Sequence, residues 1–186
     1  TDTISPASLS GGVGFYSTTK SWFALQFNRW YFNEDNYRVT LAGGFGNINF
    51  QFFLDHPISP GYIDYNTTAD FFSFEIQRRA FKKLYLGVNY SYTKVNTTFD
   101  KNNVPTQVDF LNGLGAVASL DTRDNVYYPY KGFISDINYS AFPEFLGNEF
   151  VSNKIEIDYN LFVPFRLEKD VLANRLYAGF GIGDLN

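Results

Sequence analysis

The chain has 186 residues, a formal charge of −4, no cysteine and a single histidine. Without cysteine it forms neither disulfides nor thiolate metal sites, and one histidine nearly excludes histidine-based triads and metal clusters. The mildly acidic balance argues against a surface that neutralises nucleic-acid phosphates. Aromatic residues nevertheless make up 20% of the chain, although its mean hydropathy is slightly polar. Strands with one apolar and one wet face, as in a membrane β-barrel, explain both properties.

The first half of the chain predicts long strands. Residues 1–10 are polar and predict a tail, and a glycine-rich strand follows over 11–16. Over 22–32 the residues alternate, which predicts a half-buried strand. Its apolar face would carry Phe23, Leu25, Phe27 and Tyr31. In the next strand the apolar parity reverses after the glycines at 43–46, which predicts a β-bulge. Proline, glycine and asparagine then predict a loop over 54–67.

The second half continues the same pattern. A polar loop is predicted over 95–109, and short connections near 33–36, 79–83 and 165–171 alternate with longer ones. Alternation predicts further strands at 72–76, 84–93, 114–120, 133–141, 151–163 and 176–182. Their polar face carries mid-strand charges at Glu75, Asp136, Lys154, Glu156 and Asp158. Strands that are mostly ten residues or longer suit a tilted bilayer crossing better than a soluble sandwich.

These elements predict an all-β fold, an antiparallel transmembrane β-barrel of which about nine strands are seen. Bacterial barrels have even strand numbers, and the chain does not finish on the terminal aromatic that such barrels commonly carry. We therefore expect part of a larger barrel of roughly 16 strands. The predicted organisation is a tail over 1–10 and a barrel segment over 11–186. The alternative is a soluble β protein whose apolar face forms a core or binds an apolar ligand.

One charged turn stands out between two alternating strands. It reads DTRDNVYYPYKG and spans Asp121–Gly132. Aspartate, asparagine, proline and glycine form turns for local reasons, and Asp121 and Arg123 are spaced to pair inside a barrel rim. We therefore expect a structural role for the motif residues Asp121, Arg123, Asp124, Pro129 and Gly132.

The pattern D-x-R-D followed by P-x-x-G resembles the turn of the bacterial surface-antigen barrel family. This family is the BamA/TamA-type superfamily of outer-membrane assembly factors. The glycine- and alanine-rich strand before the turn and the strands at 151–163 and 176–183 fit as well. The resemblance is good over about 111–183 and only a pattern over 11–95. The periplasmic POTRA domains of the family are not expected here, because the first ten residues cannot hold one.

The resemblance implies a location in the outer membrane of a Gram-negative bacterium and a non-enzymatic role in protein insertion or translocation. Implied partners are the lipid bilayer, other outer-membrane proteins as clients, and periplasmic or lipoprotein subunits. No nucleic acid and no cofactor are expected. The alternative within the membrane is a passive pore or an anchor barrel, for example of a patatin-like phospholipase whose catalytic part lies outside this chain.

Other candidate residues are weaker. His56 is a loop histidine without a partner cluster, so no metal or catalytic residue is predicted. The glycines at 179, 181 and 183 are expected to face inward and leave room for a neighbouring segment. Arg29 and Arg78 fall on apolar faces near strand ends, where a long side chain can snorkel. Aromatic girdles are predicted at Tyr31, Tyr37, Tyr90, Tyr92, Tyr139 and Phe165.

Overall fold

The computed structural model describes residues 5–54, 61–99, 105–166 and 170–183. Ten strands and one short 3₁₀ turn, Glu144–Leu146, occupy these ranges. None of the helical segments in the described ranges has the length and apolarity that a membrane-spanning helix needs. The strands are β1 Leu9–Tyr16, β2 Trp22–Phe32, β3 Tyr37–Leu54, β4 Gly61–Phe81, β5 Leu84–Phe99, β6 Gln107–Phe110, β7 Gly113–Asp121, β8 Gly132–Phe142, β9 Ser152–Pro164 and β10 Val171–Gly183.

All ten strands belong to one antiparallel sheet. Its order is β1-β2-β3-β4-β5-β7-β8-β9-β10, and the short β6 pairs with the far end of β5. Among the described residues, β1 pairs only with β2 and β10 only with β9, so the sheet is open. The prediction of an antiparallel barrel wall is confirmed, and an open sheet fits part of a larger barrel. The tenth strand is β6, which lies in the segment predicted as a loop.

The sheet is strongly curved. Arg38 on β3 donates a hydrogen bond to Asp121 on β7 at 3.1 Å, although β4 and β5 lie between their strands. This contact is possible only if the face that carries both side chains is concave. From β4 to β10 the opposite, outward face is apolar, as in a wall that meets lipid. Its members include Phe72, Phe74, Ile76, Leu86, Val88, Tyr90, Leu114, Ile137, Tyr139, Ile155, Ile157, Leu176 and Phe180.

The connections fall at two ends of the sheet. The turns after β2, β4, β7 and β9 share one end, here called the rim, and the charged turn at 122–131 is one of them. The other end holds the last residues of β1, β3, β5 and β8 and the first residues of β2, β4, β7 and β9. The turns after β2, β4 and β9, which were predicted as short connections, therefore share one end of the sheet, and the charged turn lies with them.

The predicted β-bulge at 43–46 is wrong. β3 pairs with β2 and β4 in unbroken register through this segment. The apolar parity reverses because the strand runs on beyond the apolar band, where water and not lipid surrounds the outward face. The outward stretch of β3 from 37 to 45 matches the roughly 9–11 residues of a tilted crossing. Beyond it, outward Asn49 accepts a hydrogen bond from Asn66, while Phe50 and Tyr65 stack on the concave side at 4.9 Å.

Two predicted loops are too long for the same reason. β3 continues to Leu54 and β4 begins at Gly61, within the loop predicted over 54–67. β5 continues to Phe99, within the loop predicted over 95–109. Polar residues on these extensions form cross-strand hydrogen bonds, such as Gln51 to Asp64 at 2.7 Å. Composition predicted loops here because it does not distinguish a solvated strand from a solvated loop.

The first strands reverse the polarity of the wall. β2 alternates as predicted, but its apolar set of Phe23, Leu25, Phe27 and Tyr31 lies on the concave side, where Tyr31 is in register with Arg38. The rings cover glycines on neighbouring strands. A Cβ at Gly11 would lie 2.6 Å from the Phe27 ring, and one at Gly46 would lie 2.7 Å from Phe23. Aromatic side chains therefore fill the space that these glycines leave on the concave face.

Candidate functional site

A buried charge network, the rim cluster, joins the rim turns on the concave side. Its members are Asp35, Arg38, Arg79, Tyr85, Asp121 and Arg123. Arg38 is 4% exposed and lies at its centre. Its guanidinium donates two hydrogen bonds of 2.8 Å to Asp35 and one of 3.1 Å to Asp121. It also lies 3.7 Å from the centroid of the Tyr85 ring. One side chain thus links the turn after β2 to the end of β7.

Two further residues donate hydrogen bonds to the Asp35 carboxylate. The Tyr85 hydroxyl donates to Asp35 at 2.5 Å, and Arg79 donates to it at 3.2 Å. Arg79 also donates to the Tyr85 oxygen at 3.1 Å. A buried carboxylate with this many donors is favourable only as a unit, because each charge would be costly to bury alone. The network therefore holds four strands, β3, β4, β5 and β7, and two turns in one arrangement.

The first half of the DTRD motif enters this cluster directly. Arg123 donates to both oxygens of Asp121 at 2.9 Å, in a two-pronged ion pair. Its third nitrogen donates to the carbonyl of Val126 at 2.9 Å. Asp121 therefore accepts from Arg123 within its own turn and from Arg38 across the concave face. The i, i+2 spacing brings the Arg123 guanidinium back over the end of β7.

The second half of the motif closes the turn. One oxygen of Asp124 accepts backbone hydrogen bonds from Asn125, Tyr130 and Lys131, at 2.9 to 3.2 Å. Pro129 lies between these donors in the chain. Gly132 has φ of +102°, and a Cβ there would lie 2.5 Å from the carbonyl oxygen of Thr122. The spacing of aspartate and glycine thus matches a loop that folds around one carboxylate and ends at a position that requires glycine.

The two turn carboxylates are held in their charged form. Burial disfavours ionised Asp35, but hydrogen bonds from Arg38 and Tyr85 and the charges of Arg38 and Arg79 outweigh it, so the pKa of Asp35 lies below its ordinary value. Backbone N–H donors, chiefly that of Tyr130, lower the pKa of Asp124. Both groups are therefore acceptors at neutral pH, as their hydrogen bonds require.

The middle of the concave face is polar and charged. Arg29, Glu75, Asp136, Glu156 and Asp158 line one recess of about 340 Å³ that reaches from β2 to β10. Lys154 pairs with Glu156 at 2.8 Å, and Arg175 pairs with Asp158. The charges predicted on the polar strand faces therefore meet inside the curve of the sheet.

Some other predicted positions are corrected. Arg29 does not snorkel from an apolar outward face, because its side chain lies in the charged recess beside Glu75 and Asp136. Tyr31 is not a girdle residue: it is 6% exposed on the concave face. Arg78 does lie on the outward face at the end of its strand, with its guanidinium 5.8 Å from the Tyr37 ring.

Two further predictions have different outcomes. Gly179 and Gly181 lie on the concave face of β10, in register with Glu156 and Lys154. A Cβ at Gly181 would meet nothing within 4 Å, so the expected space is present there, whereas a Cβ at Gly183 would lie 2.8 Å from the Cα of Ser152. His56 lies outside the described residues.

The sequence did not identify the partners that the first half of the chain supplies to Asp121. Arg38 is one of several cations on polar strand faces, and Asp35 is one acidic residue in an ordinary turn. Only the register places Arg38 on the concave side, and only the curvature carries it to Asp121. The remaining clue was the charge of Arg38 next to a turn, which many surface residues share.

A concave antiparallel sheet with an apolar outward band and a charged inner face is the wall of a transmembrane β-barrel. The chain matches the Omp85 superfamily domain over residues 6–185, and it belongs to that family. The predicted resemblance is thereby confirmed. Membership places the chain, at the level of the family, among proteins of outer-membrane assembly and translocation. No curated protein matches the chain.

Proposed function

We propose that this chain is barrel wall of a bacterial outer-membrane protein that inserts or translocates other outer-membrane proteins without enzymatic chemistry. The observation that carries the proposal is the Omp85 match over 6–185, which includes every strand of the sheet and the DTRD turn. Its partners would be the lipid bilayer, client barrel proteins, and periplasmic or lipoprotein subunits. The motif residues Asp121, Arg123, Asp124, Pro129 and Gly132 would serve this function by fixing the rim.

The physical route would be edge pairing. A strand edge that is not paired within its own sheet presents N–H and C=O groups that can template a client strand. Such a device requires that the rest of the wall keeps its curvature while one seam opens. The rim cluster supports this requirement, because Arg38 ties β3 to β7 through Asp121. Separating β3 from β7 would leave these buried charges without their partners, so the contact opposes separation.

The second candidate is a passive pore or an anchor barrel. The charged recess between β2 and β10 favours it, because a polar inner face is what a water-filled channel needs. Steady conduction would use this face alone and would need no client.

The test is depletion of the full-length protein in its native host, followed by measurement of folded porins in the outer membrane. The proposal expects folded porins to fall before growth stops, with unfolded precursors in the periplasm. Re-expression of the wild-type protein should restore them, and re-expression of an Arg38→Met, Asp121→Asn double variant should not. A matched control is Arg175→Met, since Arg175 lies 65% exposed in its ion pair with Asp158.

Planar bilayer recording of the purified full-length protein separates the two candidates. A constant conductance, together with normal porin levels after depletion, would refute an assembly role and favour the pore. Normal porin levels without conductance would favour the anchor barrel.

A further inference from the structure

The four residues before β1, segment 5–8, lie beside the end of β2 at the rim. The Ser8 hydroxyl oxygen accepts a hydrogen bond from the backbone N–H of Tyr31 at 3.4 Å. The Ser5 hydroxyl oxygen accepts one from the backbone N–H of Asp35 at 3.0 Å. Both bonds use a side-chain oxygen in place of the carbonyl oxygen that a strand partner would supply. A segment held by so few bonds opens more readily than a paired strand does.

The same segment contacts the charged turn across the curve of the sheet. The Tyr127 hydroxyl donates a hydrogen bond to the carbonyl oxygen of Ala7, although four strands, β2 to β5, lie between β1 and β7. The Asn125 side chain accepts the backbone N–H groups of Tyr127 and Tyr128 at 2.9 and 3.0 Å, which fixes this part of the turn. One hydroxyl group therefore joins two parts of the rim that are 120 residues apart in the chain.

This contact is much weaker than the rim cluster beside it. The ion pairs of Arg38 are buried, with 4% of its side chain exposed, and separating buried charges is costly. Ala7 is exposed, and Tyr127 is 38% exposed. One hydrogen bond between uncharged groups shifts an equilibrium only roughly two- to twelvefold. The contact between Tyr127 and Ala7 can therefore open while the rim cluster stays intact.

A buried hydroxyl group beside this contact favours its opening. Tyr31 is 6% exposed on the concave face. Its hydroxyl is buried and has no hydrogen-bond partner within the part of the chain that the structure describes. Tyr127 is one of the side chains that act on this hydroxyl electrostatically. An unpaired buried hydroxyl is costly. When segment 5–8 moves away, water can reach the Tyr31 hydroxyl, which offsets part of the lost hydrogen bond.

We propose that Tyr127 and segment 5–8 form a reversible latch at the rim. In the closed state Tyr127 holds the segment against the charged turn. In the open state the segment leaves the turn, and the rim end of the concave face is wider on the side of β1. The rim cluster keeps the turn in place in both states, because Tyr127 is not one of its members. Two states of similar free energy are both populated, as a conformational switch requires. The latch depends on the fold alone, so it stands or falls independently of the proposed function.

Distances between two spin labels, measured by electron paramagnetic resonance, test the latch in the full-length protein in phospholipid vesicles. The chain contributes no cysteine, and any cysteine outside it would be replaced by serine. Ala7→Cys and Lys131→Cys place the labels at exposed positions of the segment and of the turn. Tyr127→Phe keeps the ring but loses the hydroxyl, so the ratio of long to short distances should rise roughly two- to twelvefold. An unchanged ratio would overturn the proposal.

Two further variants in the same labelled protein supply a control and a change of opposite sign. Tyr128 is 86% exposed, and its hydroxyl makes no hydrogen bond among the described residues, so Tyr128→Phe should leave the ratio unchanged. Tyr31→Phe removes the buried hydroxyl, and with it the gain from water on opening, so the ratio should fall. A rise in Tyr128→Phe equal to that in Tyr127→Phe would overturn the latch. An unchanged or higher ratio in Tyr31→Phe would overturn the role of its hydroxyl.

Discussion

The two parts of the sheet differ in which face is apolar. From β4 to β10 the outward face is apolar and the concave face is polar, as shown by Ile137 and Asp136 on adjacent positions. In β1 and β2 the concave face holds phenylalanine, while the outward face carries glycine, serine and amides. A barrel wall is therefore not uniform around its circumference. The ordinary sector, from β4 to β10, is suited to contact with lipid, whereas the exceptional sector of β1 and β2 carries small and polar side chains at the middle of its outward face.

The comparison shows that the alternation of a strand and the direction in which its apolar face points are two separate properties. Alternation shows that a strand has two different faces, but the register assigns each face to lipid or to the lumen. In β2 the hydrophobic pattern favours the wrong assignment. The pairing of Phe27 with Ala42, one position from Leu41 on the outward face, corrects it.

The largest expected effect comes from removing Arg38, which links the turn after β2 to the end of β7. Arg38→Met removes the cation that pairs with Asp35 and Asp121 and leaves two buried carboxylates without it. We expect a loss of about 3–5 kcal/mol of unfolding free energy, as for other broken buried pairs. Urea titration of the full-length protein in phospholipid vesicles measures it.

The control for this change is Arg175→Met, which removes an exposed partner of Asp158. It should change stability little, because solvent screens exposed ion pairs. Similar losses of unfolding free energy in both variants would show that the buried contacts of Arg38 do not stabilise the sheet more than an exposed ion pair does.

Two valines test the difference between the sectors directly. Val13 on β1 and Val88 on β5 are each 57% exposed, but Val13 faces the concave side and Val88 faces outward. Val88→Arg should cost about 2–4 kcal/mol, as expected for a charge on the lipid face. Val13→Arg should cost far less, because its side chain lies inside the curve. The same vesicle titrations measure both, and equal costs would contradict the face assignment of β1.

Gly132→Ala tests the turn that anchors the ordinary sector. The left-handed φ of +102° and the 2.5 Å approach to Thr122 leave no room for a methyl group. We expect a loss of more than about 1 kcal/mol in the same titration. The matched change Gly181→Ala, where a Cβ would meet nothing within 4 Å, should cost nothing measurable. A tolerated Gly132→Ala would mean that the turn does not depend on its glycine.

The smallest effect is the pH dependence of the rim. The pKa of Asp35 is lowered in the folded state by its donors, so the unfolded carboxyl takes up a proton first as the pH falls. Its contribution to stability is therefore complete above about pH 4 and is lost as the pH falls toward the lower folded value. Unfolding free energies measured from about pH 6 to about pH 3 should fall less steeply in Asp35→Asn than in the wild type. If the unfolding free energy fell equally steeply with pH in both proteins, Asp35 would not contribute to the acid sensitivity.

Much of the fold was accessible from the sequence because period-two alternation survives over long strands. From Phe72 onward each predicted strand corresponds to an observed one with the predicted outward face, although β6 and the end of β5 fall in a segment predicted as a loop. The errors lie where strands pass beyond the apolar band, because Asn66 or Thr98 in a solvated strand resembles a residue in a loop. In the candidate site, Asp121 and Arg123 were recognised by their spacing, whereas Asp35 and Arg38 were not. The contact of Arg38 with Asp121 spans 83 residues of chain and depends on curvature.

The sequence by itself determined that this is an antiparallel barrel wall and that its charged turn resembles that of the surface-antigen family. Local rules suffice for both, since side-chain period and turn chemistry are properties of neighbouring residues. The tertiary structure alone decided which face of β1 and β2 meets the lumen and which partners Asp121 has. Register and curvature decide these features because they bring together strands that are far apart in the chain.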